Sequence, residues 1–270
     1  MLAKSLILQL KGFAVATIFA IPAISLAQIA ASDPVAIIQK AQKAVGGNAF
    51  FEPAPYKLTY TRKISDPSNN YYKTIEGHYS YKNSKSFEEL NVSITEKGKQ
   101  FKPFKAKNIS DYENKTAWES QSVKANAKWI KIPLNQARLI PCYNANTLND
   151  LLFDATKEPA IINIDGVEYY QLHGIRQKPT AKDWQLVCIV NTKNNLIHKI
   201  IYENTKISFK QTDTFTNYAN FQGVMIPQKI LTEILSDTNK KNDVLITETV
   251  IHEFAFSNNI PDSLFVVPGK

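Results

Sequence analysis

Four histidines, His78, His173, His198 and His252, carry the chemistry easiest to recognise, and their spacing argues against it. None stands four residues from another on a helical pattern, as two imidazoles sharing a zinc ion would. Glu88, Glu89 and Asp262 are the acids nearest to a paired arrangement, and on strand edges they read as solvated. No serine elbow, dinucleotide-binding glycine loop or phosphate-cradling loop interrupts the chain. The sequence is therefore read as non-enzymatic, with no catalytic residue, no metal and no cofactor. Cys142 and Cys188 keep two readings open. In an oxidising compartment they would pair, constraining the unfolded chain by ~3 to 5 kcal/mol. Alternatively Cys188, inside an apolar strand, is a small buried hydrophobe.

The elements that would position any site are mostly strands. The exception comes first: Asp33 as cap, Pro34 at the opening position and Gly46-Gly47 as the stop frame a helix with Ile37, Ile38, Ala41 and Val45 on one stripe. From Tyr56 the period becomes two, with Tyr56, Leu58, Tyr60 and Ile64 alternating against Lys57, Thr59, Thr61 and Lys63. Tyr71 to Lys82 and Phe87 to Glu96 repeat it, separated by turn residues. Two short strands are expected around Ala117-Trp118 and Lys128 to Ile132. A second helix is expected after a cap at Asn146 or Thr147, with Leu148, Leu151, Leu152 and Ala155 as its apolar face.

Strands then resume. Ala160 to Ile164 and Val167 to His173 flank Asp165-Gly166, the strongest hairpin signal in the chain. Trp184 to Asn191, Leu196 to Glu203, Lys206 to Tyr218, Met225 to Leu235 and Val244 to Phe256 follow. In the last of these Val244, Ile246, Val250, Phe254 and Phe256 share one parity and are expected on one face. Strand after strand without helical crossovers predicts an α+β fold: a large curved antiparallel sheet, an incomplete barrel, with two or more short helices packed on it. Trp184-Gln185-Leu186-Val187-Cys188-Ile189-Val190 is almost continuously apolar, so both faces of that strand avoid water.

Composition excludes several classes. With 44% hydrophobic residues, 13 Pro and 9 Gly in 270 residues, the chain is neither disordered nor low in complexity. Residues 1–27 read as a cleaved secretory signal: Lys4 and Lys11, then an apolar run from Phe13 to Ala27 with small residues at its end. That run is shorter than the ~20 residues a spanning helix needs. Residues 28–270 are then one domain. Losing Lys4 and Lys11 leaves two positive charges fewer than the +8 of the whole chain. The remaining lysines are interleaved with acids, which argues for a solvated surface and against a nucleic-acid groove. Tyr60, Tyr79, Tyr81, Trp118, Trp129, Tyr170 and Trp184 accordingly read as sheet packing or cavity wall.

The order of these pieces resembles the superfamily of the bacterial outer-membrane lipoprotein carrier. The likeness runs from Ala44-Val45-Gly46-Gly47 through Trp118 and Trp129, Asp165-Gly166-Val167 and Val190-Asn191-Thr192. It continues with Gly223-Val224-Met225-Ile226-Pro227 and ends at Asn258 to Pro268. The resemblance implies a half-barrel whose hollow, closed by helices, receives acyl chains or another hydrophobic ligand. It also implies a periplasmic location, a lipid or acylated protein as partner, an envelope membrane protein as a further partner, and transient contact with a membrane surface. Strand parity assigns the lining to Leu58, Tyr60, Tyr170, Leu172, Trp184, Leu186 and Ile200. The competing expectation is an envelope sensor or protein-interaction module in which the same hollow is filled by the protein's own side chains.

Overall fold

Asp33 accepts a hydrogen bond from the Val35 N–H, Pro34 supplies a preset φ, and helix α1 runs Pro34–Ala44. It stops where the N–H groups of Gly46 and Gly47 turn back onto the carbonyls of Lys43 and Gln42. The structure is a computed structural model that describes residues 33–47, 54–122, 128–133, 151–153, 157–176, 184–236 and 243–268. Residues 1–27, Cys142 and the expected helix start at Asn146 to Leu148 lie outside them.

All other long elements are strands: β1 (Tyr56–Asp66), β2 (Tyr71–Lys82), β3 (Lys85–Glu96), β4 (Lys99–Gln100), β5 (Phe104–Asp111), β6 (Thr116–Ser122), β7 (Trp129–Pro133), β8 (Leu151–Phe153), β9 (Ala160–Ile164), β10 (Val167–Arg176), β11 (Trp184–Asn191), β12 (Ile197–Asn204), β13 (Phe209–Phe221), β14 (Val224–Ser236) and β15 (Asp243–Phe256). They form one antiparallel, unclosed sheet in the order β7-β6-β5-β3-β2-β1-β15-β14-β13-β12-β11-β10-β8, with β4 beside β3 and β9 beside β10. The α+β incomplete barrel expected from the sequence is the observed architecture.

Two expectations about its parts are corrected. Leu151-Leu152-Phe153 is a strand opposite Gly174–Arg176, not part of a second helix, and α1 is the one α-helix among the described residues. The helical spacing of three leucines is a weak local preference, whereas the open backbone groups of β10 offer hydrogen bonds. The second correction concerns β15. Thr59 pairs with Glu253 but Tyr60 pairs with Ile251, so His252 is bulged out. One extra residue reverses the faces. Phe254 and Phe256 lie opposite Leu58 and Tyr56, while Val244, Ile246 and Val250 point to the other side.

Side chains opposite one another in register share a face, which defines an inner face carrying α1 and an outer face. On the outer face Phe87 and Ile109 are covered by Ile260, Phe265 and Val267 of the C-terminal segment, with Trp118, Trp129 and Leu264 at the margin. Lys82 holds this segment by donating to the Ile260 carbonyl at 3.0 Å and pairing with Asp262 at 2.9 Å.

Candidate functional site: the inner face of the sheet

Period-two alternation in β10, β11 and β12 places Leu172, Cys188 and Ile200 in one row and Tyr170, Val190 and Ile197 in the next. The stripe of α1 sits over them, so Ile37, Ile38, Ala41 and Val45 complete one apolar cluster with Leu186, Leu196, Phe215 and Ile230. Desolvation here pushes the Cys188 thiol up to about 12. Tyr218 donates to the Ile197 carbonyl at 2.6 Å, and burial raises its ionisation well above the ordinary phenol.

The helix is set by backbone contact at one end. Met225 N–H donates to the Val45 carbonyl at 3.1 Å, and a Cβ on Gly46 would stand 3.1 Å from the Gly223 carbonyl oxygen. Gly46-Gly47 and Gly223 to Pro227, two of the sequence signals of the resemblance, therefore meet. Glycine is required at Gly46 because its φ is +121° as well.

A second apolar cluster lines β1, β2, β3 and β5: Tyr56, Leu58, Tyr60, Ile75, Tyr79, Leu90, Val92 and Ala106, joined by Val224, Ile226, Ile251 and Phe254. Tyr56 stacks on Phe254 at 4.9 Å and on Tyr81 at 5.3 Å. Inside this cluster Glu88 is only 4% exposed, and its carboxylate accepts from the Tyr60 hydroxyl and from Asn108 Nδ2. Glu89 points outward to Lys107 at 2.7 Å. Of the three acids expected to be solvated, Glu89 and Asp262 are exposed and Glu88 is not, because adjacent strand residues such as Glu88 and Glu89 face opposite sides.

Between the two clusters runs a polar seam. Thr249, 4% exposed, stands opposite Ile230 of the helix-covered cluster and opposite Arg62. Arg62 in turn faces Ile75 of the second cluster, donates from Nε to Thr249 Oγ1 at 3.2 Å, and lies with its guanidinium carbon 5.4 Å from the Tyr60 ring centroid. Farther along, Asp213 accepts from the Thr232 hydroxyl at 2.6 Å and from Gln211 Nε2 at 2.9 Å. Burial raises its carboxyl above the ordinary range, against the effect of those donors.

Register puts all seven residues named from parity on the inner face, in separate groups. Leu172, Leu186, Ile200 and the half-buried Tyr170 meet under α1, and Leu58 and Tyr60 belong to the second cluster. Trp184 stands apart, edge-on to Phe209 at 5.2 Å. Arg62, Thr249, Glu88, Asn108 and Asp213 were not singled out as inner-face groups. Trp118 and Trp129 pack on the outer face and are not cavity wall. Of the two cysteines only Cys188 is described. Among the described residues no helix is long and apolar enough to cross a membrane.

An unclosed antiparallel sheet with an apolar inner face and one helix across part of it defines an incomplete β-barrel. No protein-family profile matches the chain, and no curated protein matches it. Solved structures do. A LolA superfamily protein from Nitrosomonas europaea is similar at 17% identity and a TM-score of 0.52, over 87% of this chain and 98% of that one. A domain from Vibrio parahaemolyticus named for outer membrane lipoprotein sorting gives 10% identity and a TM-score of 0.54, over 87% and 97%. A DUF1329 family protein from Desulfovibrio piger gives 10% and 0.53, over 87% and 97%. The chain shares its fold with these structures, one of them from the superfamily that its sequence motifs resemble.

Proposed function

We propose that residues 28–270, after removal of residues 1–27, act as one non-enzymatic periplasmic domain that holds a lipid, an acylated protein or another hydrophobic ligand against the inner face of the sheet. The observation that supports this reading most is the pair of apolar clusters on one face of an unclosed sheet, of which α1 joins only the one over β10 to β14. Soluble proteins keep such a face for packing or for a ligand. The names of two similar structures, a LolA superfamily protein and a lipoprotein-sorting domain, agree with the ligand.

Magnitudes allow a chain to displace the helix. Burying Ile37, Ile38 and Val45 is worth roughly 1.5–3 kcal/mol each, while an acyl chain gains about 0.8 kcal/mol per buried methylene, so some ten methylenes suffice. Delivery would involve an envelope membrane protein or brief contact with a membrane surface. A second reading, an interaction module with a filled hollow, is favoured by the packing of α1 directly on Leu172, Leu186 and Ile200.

The test is native mass spectrometry with organic extraction of the protein purified from its own compartment without detergent. A stoichiometric adduct that extracts as lipid supports the carrier reading. An apo mass that persists when lipids are offered transfers the proposal to the interaction module.

A further inference from the structure

The geometry points to Arg62 as the anchor for the anionic end of an amphiphile, a carboxylate or phosphate, whose chain lies along the apolar clusters on either side; this inference rests on the ligand-binding reading above. Three observations carry it. First, Arg62 is partly buried on the inner face at the seam, with Ile75 on one side and Thr249 then Ile230 on the other. A head group held there has apolar surface in both directions. Second, its charge is not neutralised: among the described residues no carboxylate lies within ion-pair distance, its contacts being the Thr249 hydroxyl at Nε and the Tyr60 ring.

Third, the inner-face acids Glu88 and Asp213 are engaged elsewhere. Glu88 takes the Tyr60 hydroxyl and Asn108, and Asp213 takes Thr232 and Gln211. A cation in a low-dielectric basin gains most from a partner that brings its own negative charge. With Nε engaged by Thr249 and the guanidinium carbon over the Tyr60 ring, the two terminal nitrogens are left as the fork that matches a carboxylate or phosphate.

The experiment measures binding of oleate, 1-oleoyl lysophosphatidate, and their uncharged counterparts methyl oleate and monoolein to the wild-type protein, Arg62→Gln and Arg62→Lys. The expected result is at least one anion binding about tenfold more tightly than its counterpart, as a charge-assisted hydrogen bond provides. Arg62→Gln removes that preference, weakening the anion far more than the neutral lipid, and Arg62→Lys keeps much of it. A preference shown only by lysophosphatidate assigns the head group as phosphate, and one shown only by oleate assigns it as carboxylate. Equal binding of anion and neutral lipid by the wild type, or a preference that survives Arg62→Gln, overturns the inference and leaves the carrier reading standing. Failure of all four lipids to bind the wild type overturns both.

Discussion

The Tyr60 ring lies flat across Gly77, its directly paired neighbour: a Cβ on Gly77 would stand 2.2 Å from Tyr60 Cε1. The absent side chain makes room for the aromatic ring, which carries the hydroxyl to Glu88 and underlies Arg62. Gly77→Ala is expected to lower stability in urea by about 1–3 kcal/mol through overpacking. Adding the same alanine to a Tyr60→Leu background should cost much less, since the conflict lies between these two residues. Equal losses in both backgrounds would show that the glycine matters for another reason.

Asp213 gives the inner face a pH dependence of unusual sign. Burial raises its carboxyl, so the folded state holds the proton more readily than the unfolded chain. Its contribution favours folding below the ordinary carboxylate range and is lost as pH rises through the raised value. Asp213→Asn keeps an acceptor for Thr232. The variant is expected to exceed the wild type in urea midpoint at neutral pH, with the difference shrinking in acid, where both side chains are uncharged.

Cys188 should be chemically silent while the protein is folded. Its thiol is fully buried under α1 and pushed up to about 12, so almost no thiolate is present. In a Cys142→Ser chain, iodoacetamide at mildly alkaline pH is expected to label Cys188 only after denaturation. Labelling of the native protein would mean that α1 leaves the sheet on the timescale of the reaction.

The C-terminal segment depends on Lys82. Lys82→Met removes both its donation to the Ile260 carbonyl and its pairing with Asp262. Hydrogen exchange at residues 260–267 is expected to accelerate, while exchange in β10 to β12 stays unchanged. The same segment should loosen in acid: Lys82 holds the Asp262 carboxyl below its ordinary value, so that contribution is present above the usual carboxylate range and lost as pH falls.

Much of the sheet was legible because hairpin chemistry and alternation speak together. Asp165 and Gly166 form the expected turn, both at positive φ, and β2 runs over the residues its alternation marks. Strand β5 was missed: its inward positions include Ala106 and Asn108 between outward lysines, so the apolar signal is faint. The polar half of the site was hidden for a related reason. Arg62 falls on the apolar parity of its strand, but a single charge between Tyr60 and Ile64 does not announce a role, and for Glu88 next to Glu89 composition cannot say which member faces inward. Register decides, and the bulge at His252 shows how one residue can reverse it.

The position of β1 beside β15 has a consequence for how the protein assembles. Nearly every other pairing joins strands close in sequence, whereas this one sets Tyr56 opposite Phe256. Such distant contacts repay their loop-closure entropy late, so folding speed should hang on this single junction between two meanders. Arg62 and Thr249 sit across it. A molecule held there would act as a clasp, binding the early and late parts of the chain together and slowing their separation.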